Sequence, residues 1–142
     1  MNKVLIVDDE AGIRRTLTRL VQTKGYEVFS VETGAEALEV AVREEPEVIL
    51  IDLLLEDMPG LAVMKQVKNK MPAAECIIVT GAATKDSAVA AVNLGAFGFV
   101  TKPWDDDQLL VMIKAGMNQC ETTKSLLESE EKLRSLQQQL AL

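Results

Sequence analysis

The chain has 142 residues, is 48% hydrophobic and 26% charged, and carries a formal net charge of −7 at pH 7. These values are typical of one globular domain with a normal core. The negative charge argues against direct nucleic-acid binding, because a phosphate backbone is bound by clustered Lys and Arg. No apolar run is long enough to cross a membrane and no signal-peptide pattern opens the chain, so we expect no membrane contact.

The cysteine and histidine content limits the chemistry further. Cys76 and Cys120 lie in separate apolar segments, and two isolated thiols form neither a metal site nor a disulfide framework. A reducing cytoplasm is therefore the expected location. The chain has no histidine, which removes the commonest general base and metal ligand and excludes phosphohistidine chemistry within it.

Strand-like and helix-like patterns alternate along the chain and predict five βα units. The predicted strands are Lys3–Val7, Tyr26–Val31, Val48–Ile51, Cys76–Val79 and Phe97–Thr101. The predicted helices are a segment that contains Ile13 and ends at Gly25, a segment that runs from the Thr33–Glu36 capping box to Pro46, Leu61–Met71, Lys85–Leu94, and a last helix that opens at Asp105–Asp107 and continues to Leu142. Such alternation predicts a parallel sheet with helices on both faces.

Three details within these elements can be compared with a structure. The third strand, Val48–Ile51, is apolar at every position, which predicts that it is buried on both faces of the sheet. In the second helix, Ala37, Leu38 and Val42 are expected to form the apolar stripe. Trp104 is expected to pack against the start of the last helix.

The residues that follow four of the strands predict a functional site. The carboxyl ends of parallel strands share one rim of the sheet, so Asp8 and Asp9 should meet Asp52 there, with Thr80 and Lys102 nearby. Three close carboxylates repel one another unless a cation joins them, and oxygen ligands with room for water favour Mg²⁺. A hydroxyl and a lysine beside that metal would suit a small dianion, and a phosphoryl group is the obvious candidate.

With these residues in place, the sequence resembles the receiver domain of two-component response regulators across roughly residues 1–120. The matching features, in chain order, are Asp8-Asp9, Asp52, Gly60, Thr80, Gly95-Ala96 and Lys102-Pro103. The resemblance implies a flavodoxin-like (βα)5 three-layer sandwich. It also implies a five-stranded parallel sheet of order 2-1-3-4-5 and an extended C-terminal helix.

The resemblance also implies a role for each site residue. Asp52 would accept a phosphoryl group from a phosphohistidine on a sensor histidine kinase or a phosphotransfer protein. The Mg²⁺ ligands would be Asp8, Asp9, Asp52 and the backbone carbonyl of Leu54. Lys102 would pair with the phosphoryl oxygens, Thr80 would hydrogen-bond one of them, and Phe99 would be the aromatic residue that turns inward as the domain switches. Such a domain catalyses only its own phosphorylation and dephosphorylation, and in the family the Lys102-Pro103 peptide bond is cis.

The sequence departs from the family pattern in the loop after Asp52 and beside Thr80. The family usually has proline four residues after the phosphorylated aspartate, whereas this chain has Glu56 there and Pro59 three residues later. Glu56 could therefore place an additional carboxylate near the metal. The two positions that flank the site, Leu54 and Ala82, are both apolar here.

Three other functions compete with phosphoryl acceptance. A haloacid-dehalogenase-type phosphatase needs a second aspartate at the position that Leu54 occupies. A flavodoxin-like flavin carrier needs a phosphate loop where Asp8-Asp9-Glu10 would repel the phosphate. The remaining alternative is a degenerate receiver that acts as a phosphorylation-independent protein-interaction module.

The last part of the chain is predicted to lie outside the receiver domain. We expect a receiver domain at residues 1–120 and a helical extension or linker at 121–142. A heptad-like spacing in this extension involves Leu126, Leu133, Leu136 and Leu140. Two copies of the helix could pair as a coiled coil and form a homodimer, or the segment could be a linker ordered only by a further domain. No sequence feature identifies the kinase or the output partner.

Overall fold

The computed structural model of the protein describes residues 2–141 and shows strictly alternating strands and helices. The strands are β1 (Lys3–Val7), β2 (Glu27–Val31), β3 (Val48–Ile51), β4 (Glu75–Thr80) and β5 (Gly98–Thr101). The helices are α1 (Ala11–Gln22), α2 (Gly34–Glu44), α3 (Gly60–Lys70), α4 (Lys85–Asn93) and α5 (Asp106–Leu140). Each predicted element is therefore present with small shifts at its ends. The expected continuation of the last helix to Leu142 lies outside the described residues.

The five strands form one parallel sheet of order β2-β1-β3-β4-β5, which confirms the predicted fold. The register aligns the carboxyl ends of the strands: Val7 pairs with Ile51, and Thr80 pairs with Thr101. The chain segments that follow β1, β3, β4 and β5 therefore leave the sheet along one rim. That rim is where the sequence places its polar residues.

Both faces of the sheet are covered by apolar side chains. On β1 and β3, Leu5 and Ile49 belong to one core cluster, which also includes residues of α2 and α3 and is called the α2–α3 core cluster. Ile6 and Leu50, the next residue on each strand, belong to the cluster on the opposite face, which includes residues of α1 and α5 and is called the α1–α5 core cluster. This alternation follows from the two-residue period of a strand, and it explains why β3 is apolar throughout.

The apolar stripe of α2 differs from the expectation. Val42 is 55% exposed, whereas Val40 and Ala41 are buried beside Ala37. The reason is geometric, because positions three and four residues after Ala37 share its helix face and the position five residues after it does not. The predicted stripe was therefore wrong at Val42.

Helix α5 is unbroken over 35 residues. Gly116 does not interrupt it, because this glycine packs against the sheet: a Cβ atom there would lie 3.2 Å from Cγ2 of Val48. Cys120 is the last buried residue of the helix, and the residues after it are largely exposed. Trp104 packs on the α1–α5 core cluster, and its indole N–H donates to Asp106 Oδ1 at 2.9 Å, as expected. Within residues 2–141 no helix combines the length and apolar character needed to cross a membrane.

Candidate functional site

Asp52 lies directly after β3, and the residue is only 6% exposed. One carboxylate oxygen, Oδ1, accepts a hydrogen bond from the hydroxyl of Thr80 at 2.8 Å and from the backbone N–H of Leu54 at 3.3 Å. The other oxygen, Oδ2, accepts from the ammonium group of Lys102 at 3.0 Å. Asp52, Thr80 and Lys102 therefore meet at the rim, as their positions after successive strands predict.

Lys102 joins this carboxylate to a second one. Its ammonium group also lies 2.7 Å from Asp8 Oδ2, and the lysine side chain is only 13% exposed. Burial opposes the charged form of Lys102, but the hydrogen bonds to Asp8 and Asp52 outweigh it, so the pKa of Lys102 is raised. The lysine therefore stays charged and partly neutralises both carboxylates.

Asp8 belongs to an acidic cluster at the end of β1. One carboxylate oxygen from each of Asp8, Asp9 and Glu10 lies within 4.8 Å of the others. Burial raises the pKa of Asp8, although hydrogen bonds from Lys102 and from the backbone N–H of Glu10 partly offset that rise. Such a set of hard oxygen donors fits a divalent cation that prefers oxygen ligands, as Mg²⁺ does.

The residues of that cluster are not the same as the predicted ligand set. Glu10, which was not predicted to be a ligand, completes the close trio, while Asp52 connects to Asp8 through Lys102. Glu10 is exposed and is the N-cap of α1. Its adjacency to the acid pair in the sequence is the signal that could have identified it.

Thr80 is the last residue of β4 and is completely buried. Its hydroxyl donates to Asp52 and accepts from the backbone N–H of Ala82 at 3.1 Å. The hydroxyl therefore links the carboxylate to the loop that leads into α4. A change at Asp52 that alters this hydrogen bond would therefore also change the position of that loop.

The loop between Asp52 and α3 has an anchor that the sequence did not reveal. The carboxylate of Asp57 accepts hydrogen bonds from the backbone N–H groups of Gly34 and Ala35, at 2.8 and 2.9 Å. These bonds lower the pKa of Asp57, with the bond from Gly34 the largest cause. The loop is thereby tied to the first turn of α2.

Three other predicted features can be located. Phe99 is half-buried on β5, pairs with Ile78 and packs against the α2–α3 core cluster. Leu54 lies beside Asp52 with its side chain 65% exposed, and the Lys102-Pro103 peptide bond is cis. The switch role of Phe99 and the metal role of the Leu54 carbonyl stay predictions.

Fold and site together define a class of protein: a doubly wound α/β domain with a buried strand-end aspartate that shares a lysine with an acidic cluster. Residues 4–114 match the family model of the response regulator receiver domain. The chain belongs to this family, which confirms the resemblance found in the sequence. Receiver domains of two-component systems generally bind Mg²⁺, in agreement with the acidic cluster.

Relatives and solved structures agree with this assignment. The chain is 36% identical over 115 residues to the DNA-binding transcriptional regulator NtrC of Escherichia coli K12, an alignment that covers 81% of this chain and 24% of that protein. A CheY-like receiver domain protein from Methanospirillum hungatei JF-1 has a TM-score of 0.82 at 30% identity, over 87% of this chain and 98% of that one. A receiver domain protein from Clostridium thermocellum has a TM-score of 0.80 at 27% identity, over 89% and 99%.

These relatives differ in extent. The chain spans about a quarter of the curated relatives that it matches, such as NtrC at 24% and the regulatory protein AtoC of E. coli K12 at 25%. It spans nearly all of the M. hungatei and C. thermocellum receiver structures. The similarity therefore concerns the receiver domain itself.

Proposed function

We propose that Asp52 accepts a phosphoryl group from a phosphohistidine on a sensor histidine kinase or a phosphotransfer protein, and that the domain then changes conformation to signal to an output partner or domain. The observation that carries the proposal is the set of bonds at Asp52. Its carboxylate is buried at the rim and bonded through separate oxygens to Thr80 and Lys102. An ammonium group beside the acceptor carboxylate can neutralise the charge of an incoming phosphoryl group, which favours attack by the carboxylate on phosphorus.

In the transfer step, a carboxylate oxygen of Asp52 forms a bond to phosphorus while the bond between phosphorus and the donor imidazole breaks. The ammonium of Lys102, already 3.0 Å from Asp52, would neutralise charge that develops on the phosphoryl oxygens. We propose that Mg²⁺ is held by Asp8, Asp9, Asp52 and the backbone carbonyl of Leu54. When bound, it supplies charge neutralisation and orientation of the transferring group.

Thr80 and Phe99 are proposed to transmit the change. Phosphorylation replaces a monoanionic carboxylate, which accepts one hydrogen bond from Thr80, with a dianionic acyl phosphate whose phosphoryl oxygens are stronger acceptors. The hydroxyl would bond a phosphoryl oxygen instead, and the loop attached through Ala82 would move with it. Phe99 would then turn inward into the space that this loop leaves.

The test is labelling with a small acyl-phosphate donor and Mg²⁺. One phosphoryl group should be added and should map to Asp52 by peptide mass spectrometry. Asp52→Asn should abolish the label, while the exposed control Asp107→Asn should keep it. Equal labelling of Asp52→Asn would refute the assignment.

The phosphorylation-independent module is the second candidate and is not favoured. A degenerate receiver would be expected to lack one of the chemical groups at the rim, whereas Asp52 is present here and accepts hydrogen bonds from both Thr80 and Lys102. A chain that neither binds Mg²⁺ nor is labelled would support the module instead. The proposed receiver is no enzyme towards other substrates, since it acts only on its own carboxylate.

The surroundings of the domain are also proposals. We propose a receiver at residues 1–120 and a helical extension at 121–142, with a homodimer through the exposed part of α5. The net charge of −7 over the 142 residues supports the expectation that the chain makes no direct nucleic-acid contact. The cytoplasm is the proposed location, which suits two free and buried cysteines.

A further inference from the structure

The loop of residues 53–59, here called the β3–α3 loop, is closed tightly at its base. The backbone N–H of Gly60 donates to the carbonyl of Leu53 at 2.8 Å, and Leu54 forms an isolated bridge with Pro59. A Cβ atom at position 60 would overlap the carbonyl oxygen of Asp52, so only glycine allows this approach. The base of the loop therefore rests directly on the backbone of Asp52.

The tip of the β3–α3 loop is held by Asp57. Each of its carboxylate oxygens accepts one backbone N–H group, from Gly34 at 2.8 Å and from Ala35 at 2.9 Å. The side chain of Thr33, the N-cap of α2, accepts the backbone N–H of Glu36 and leaves those of Gly34 and Ala35 to another partner. Because the first N–H groups of a helix have no partner within the helix, Asp57 completes the capping that Thr33 leaves unfinished. A negative charge at this end of a helix is also favourable.

Met58 strengthens the same contact. A Cβ atom on Gly34 would lie 2.5 Å from Cγ and 2.7 Å from Sδ of Met58, so the methionine side chain packs directly on the glycine backbone. Met58 also packs against the α2–α3 core cluster. By contrast, Glu56 is exposed and takes part in none of the hydrogen bonds or ion pairs recorded for residues 2–141.

The other end of the loop reaches the proposed phosphoacceptor. The backbone N–H of Leu54 lies 3.3 Å from Asp52 Oδ1, an oxygen that also accepts from Thr80. Asp57 lies between Leu54 and Pro59 in the chain, and the bridge that these two residues form joins the two sides of the loop. The position of Leu54 against the carboxylate therefore depends on where the loop tip is held.

We infer that Asp57 is a positioning residue for the site at Asp52: by binding two amides of α2 it fixes the β3–α3 loop and thereby the backbone of Leu54. In effect, α2 serves as the fixed support for a loop that reaches the acceptor carboxylate. The consequence for Mg²⁺ rests on the proposed function, whereas the consequence for the Leu54 backbone does not.

The experiment compares Asp57→Asn with the neighbouring control Glu56→Gln. Asparagine keeps one acceptor, so Asp57→Asn should fold, and a thermal melt without Mg²⁺ verifies this. We expect faster hydrogen–deuterium exchange at the amides of Gly34, Ala35 and Leu54 in Asp57→Asn only. We also expect the Mg²⁺ dissociation constant, measured by calorimetry, to rise about tenfold, as is typical when a residue that orients a ligand is lost.

The outcomes separate this inference from the proposed function. Faster exchange at Gly34 and Ala35 with no change at Leu54 and no change in Mg²⁺ affinity would overturn the inference, because Asp57 would then be a helix cap alone. An equal effect of Glu56→Gln would overturn it as well. A wild-type chain that neither binds Mg²⁺ nor is labelled would refute the proposed function, and exchange at Leu54 would then decide the inference by itself.

Discussion

The ammonium group of Lys102 lies 2.7 Å from the carboxylate of Asp8, although the two residues are 94 positions apart in the chain. The same group lies 3.0 Å from Asp52, so one cation serves two buried carboxylates that follow neighbouring strands. A metal ion bound at Asp8 would lie near the same carboxylates that the Lys102 ammonium group neutralises. The charge balance at the rim therefore depends on Lys102 as well as on any bound metal.

Replacement of Lys102 by methionine should destabilise the metal-free protein. Asp8 and Asp52 would lose their shared counter-ion, and breaking a buried ion pair by removing one partner costs about 3 kcal/mol. The loss should become smaller when Mg²⁺ is added, because the metal replaces part of the missing charge. Urea unfolding with and without Mg²⁺ measures both effects. Lys65→Met, at an exposed position of α3, is the control, and an equal loss of stability there would contradict the prediction.

Removal of a proposed metal ligand should abolish the response to Mg²⁺. In the wild type, Mg²⁺ should raise the melting temperature by mass action. Asp9→Ala should remove that rise and leave the metal-free protein folded, at least as stable as before, because one of three close carboxylates is gone. The exposed Glu39→Ala on α2 should keep the full rise. A normal Mg²⁺ shift in Asp9→Ala would show that Asp9 is not a ligand.

The pH dependence of stability should reflect Asp8. Because burial raises its pKa in the folded state, the folded protein holds this proton more tightly than the unfolded chain does. The stabilising effect is thus complete below the unfolded pKa and is lost as the pH rises through the folded pKa. In the presence of a metal chelator, Asp8→Asn should therefore have a larger free energy of unfolding than the wild type at neutral pH. This difference should disappear at acidic pH. A difference in stability that does not change with pH would contradict this account.

The lifetime of the acyl phosphate should depend on Leu54. Hydrolysis needs a water molecule in line with phosphorus, and neither Leu54 nor Ala82 offers a side-chain hydrogen bond to hold it. We therefore expect slow self-dephosphorylation, accelerated several-fold by Leu54→Asn. Leu54→Met, which keeps an apolar side chain of similar size, should leave the rate nearly unchanged. An unaltered rate in Leu54→Asn would show that this position does not limit water.

The exposed part of α5 should mediate dimer formation. Leu126 and Leu133 are each 58% exposed, Leu136 is 56% exposed and Leu140 is 87% exposed. A helix this polar gains little stability alone in water, and pairing with a second copy would bury these side chains. Light scattering should give a mass that rises with concentration, and a chain cut after Cys120 should stay monomeric. A full-length chain that is monomeric at high micromolar concentration, phosphorylated or not, would refute the dimer.

Most of the fold and the main site residues could be predicted because their signals are local. Short and largely apolar runs end at Asp8, Asp52, Thr80 or Lys102, so each of these polar residues marks the carboxyl end of a strand. Parallel pairing then brings those four residues to one rim without any further information. Hydrogen bonds and ion pairs join all four in the structure.

The features that were not predicted depend on contacts between distant segments. Asp57 and Gly34 are 23 residues apart, and no periodic pattern links an aspartate in one loop to the first turn of another helix. The orientation of α2 likewise depended on which of two overlapping apolar stripes the sheet covers, and Val42 is on the exposed one. Such choices are made by packing and leave little trace in the order of residues.

The exposed part of α5 has a geometrical consequence for signalling. Gly116 packs beside Val48 at the start of β3, so the helix leaves the sheet at the edge opposite Asp52, where Lys124 lies 3.8 Å from Glu47. The residues beyond Cys120 extend about 30 Å at 1.5 Å per residue. Deleting one residue there would rotate the far end by about 100°, whereas deleting seven would shorten it by about 10 Å and change its orientation by only about 20°. The rotation of this helix about its own axis, more than its length, therefore determines which of its sides faces a partner bound along it.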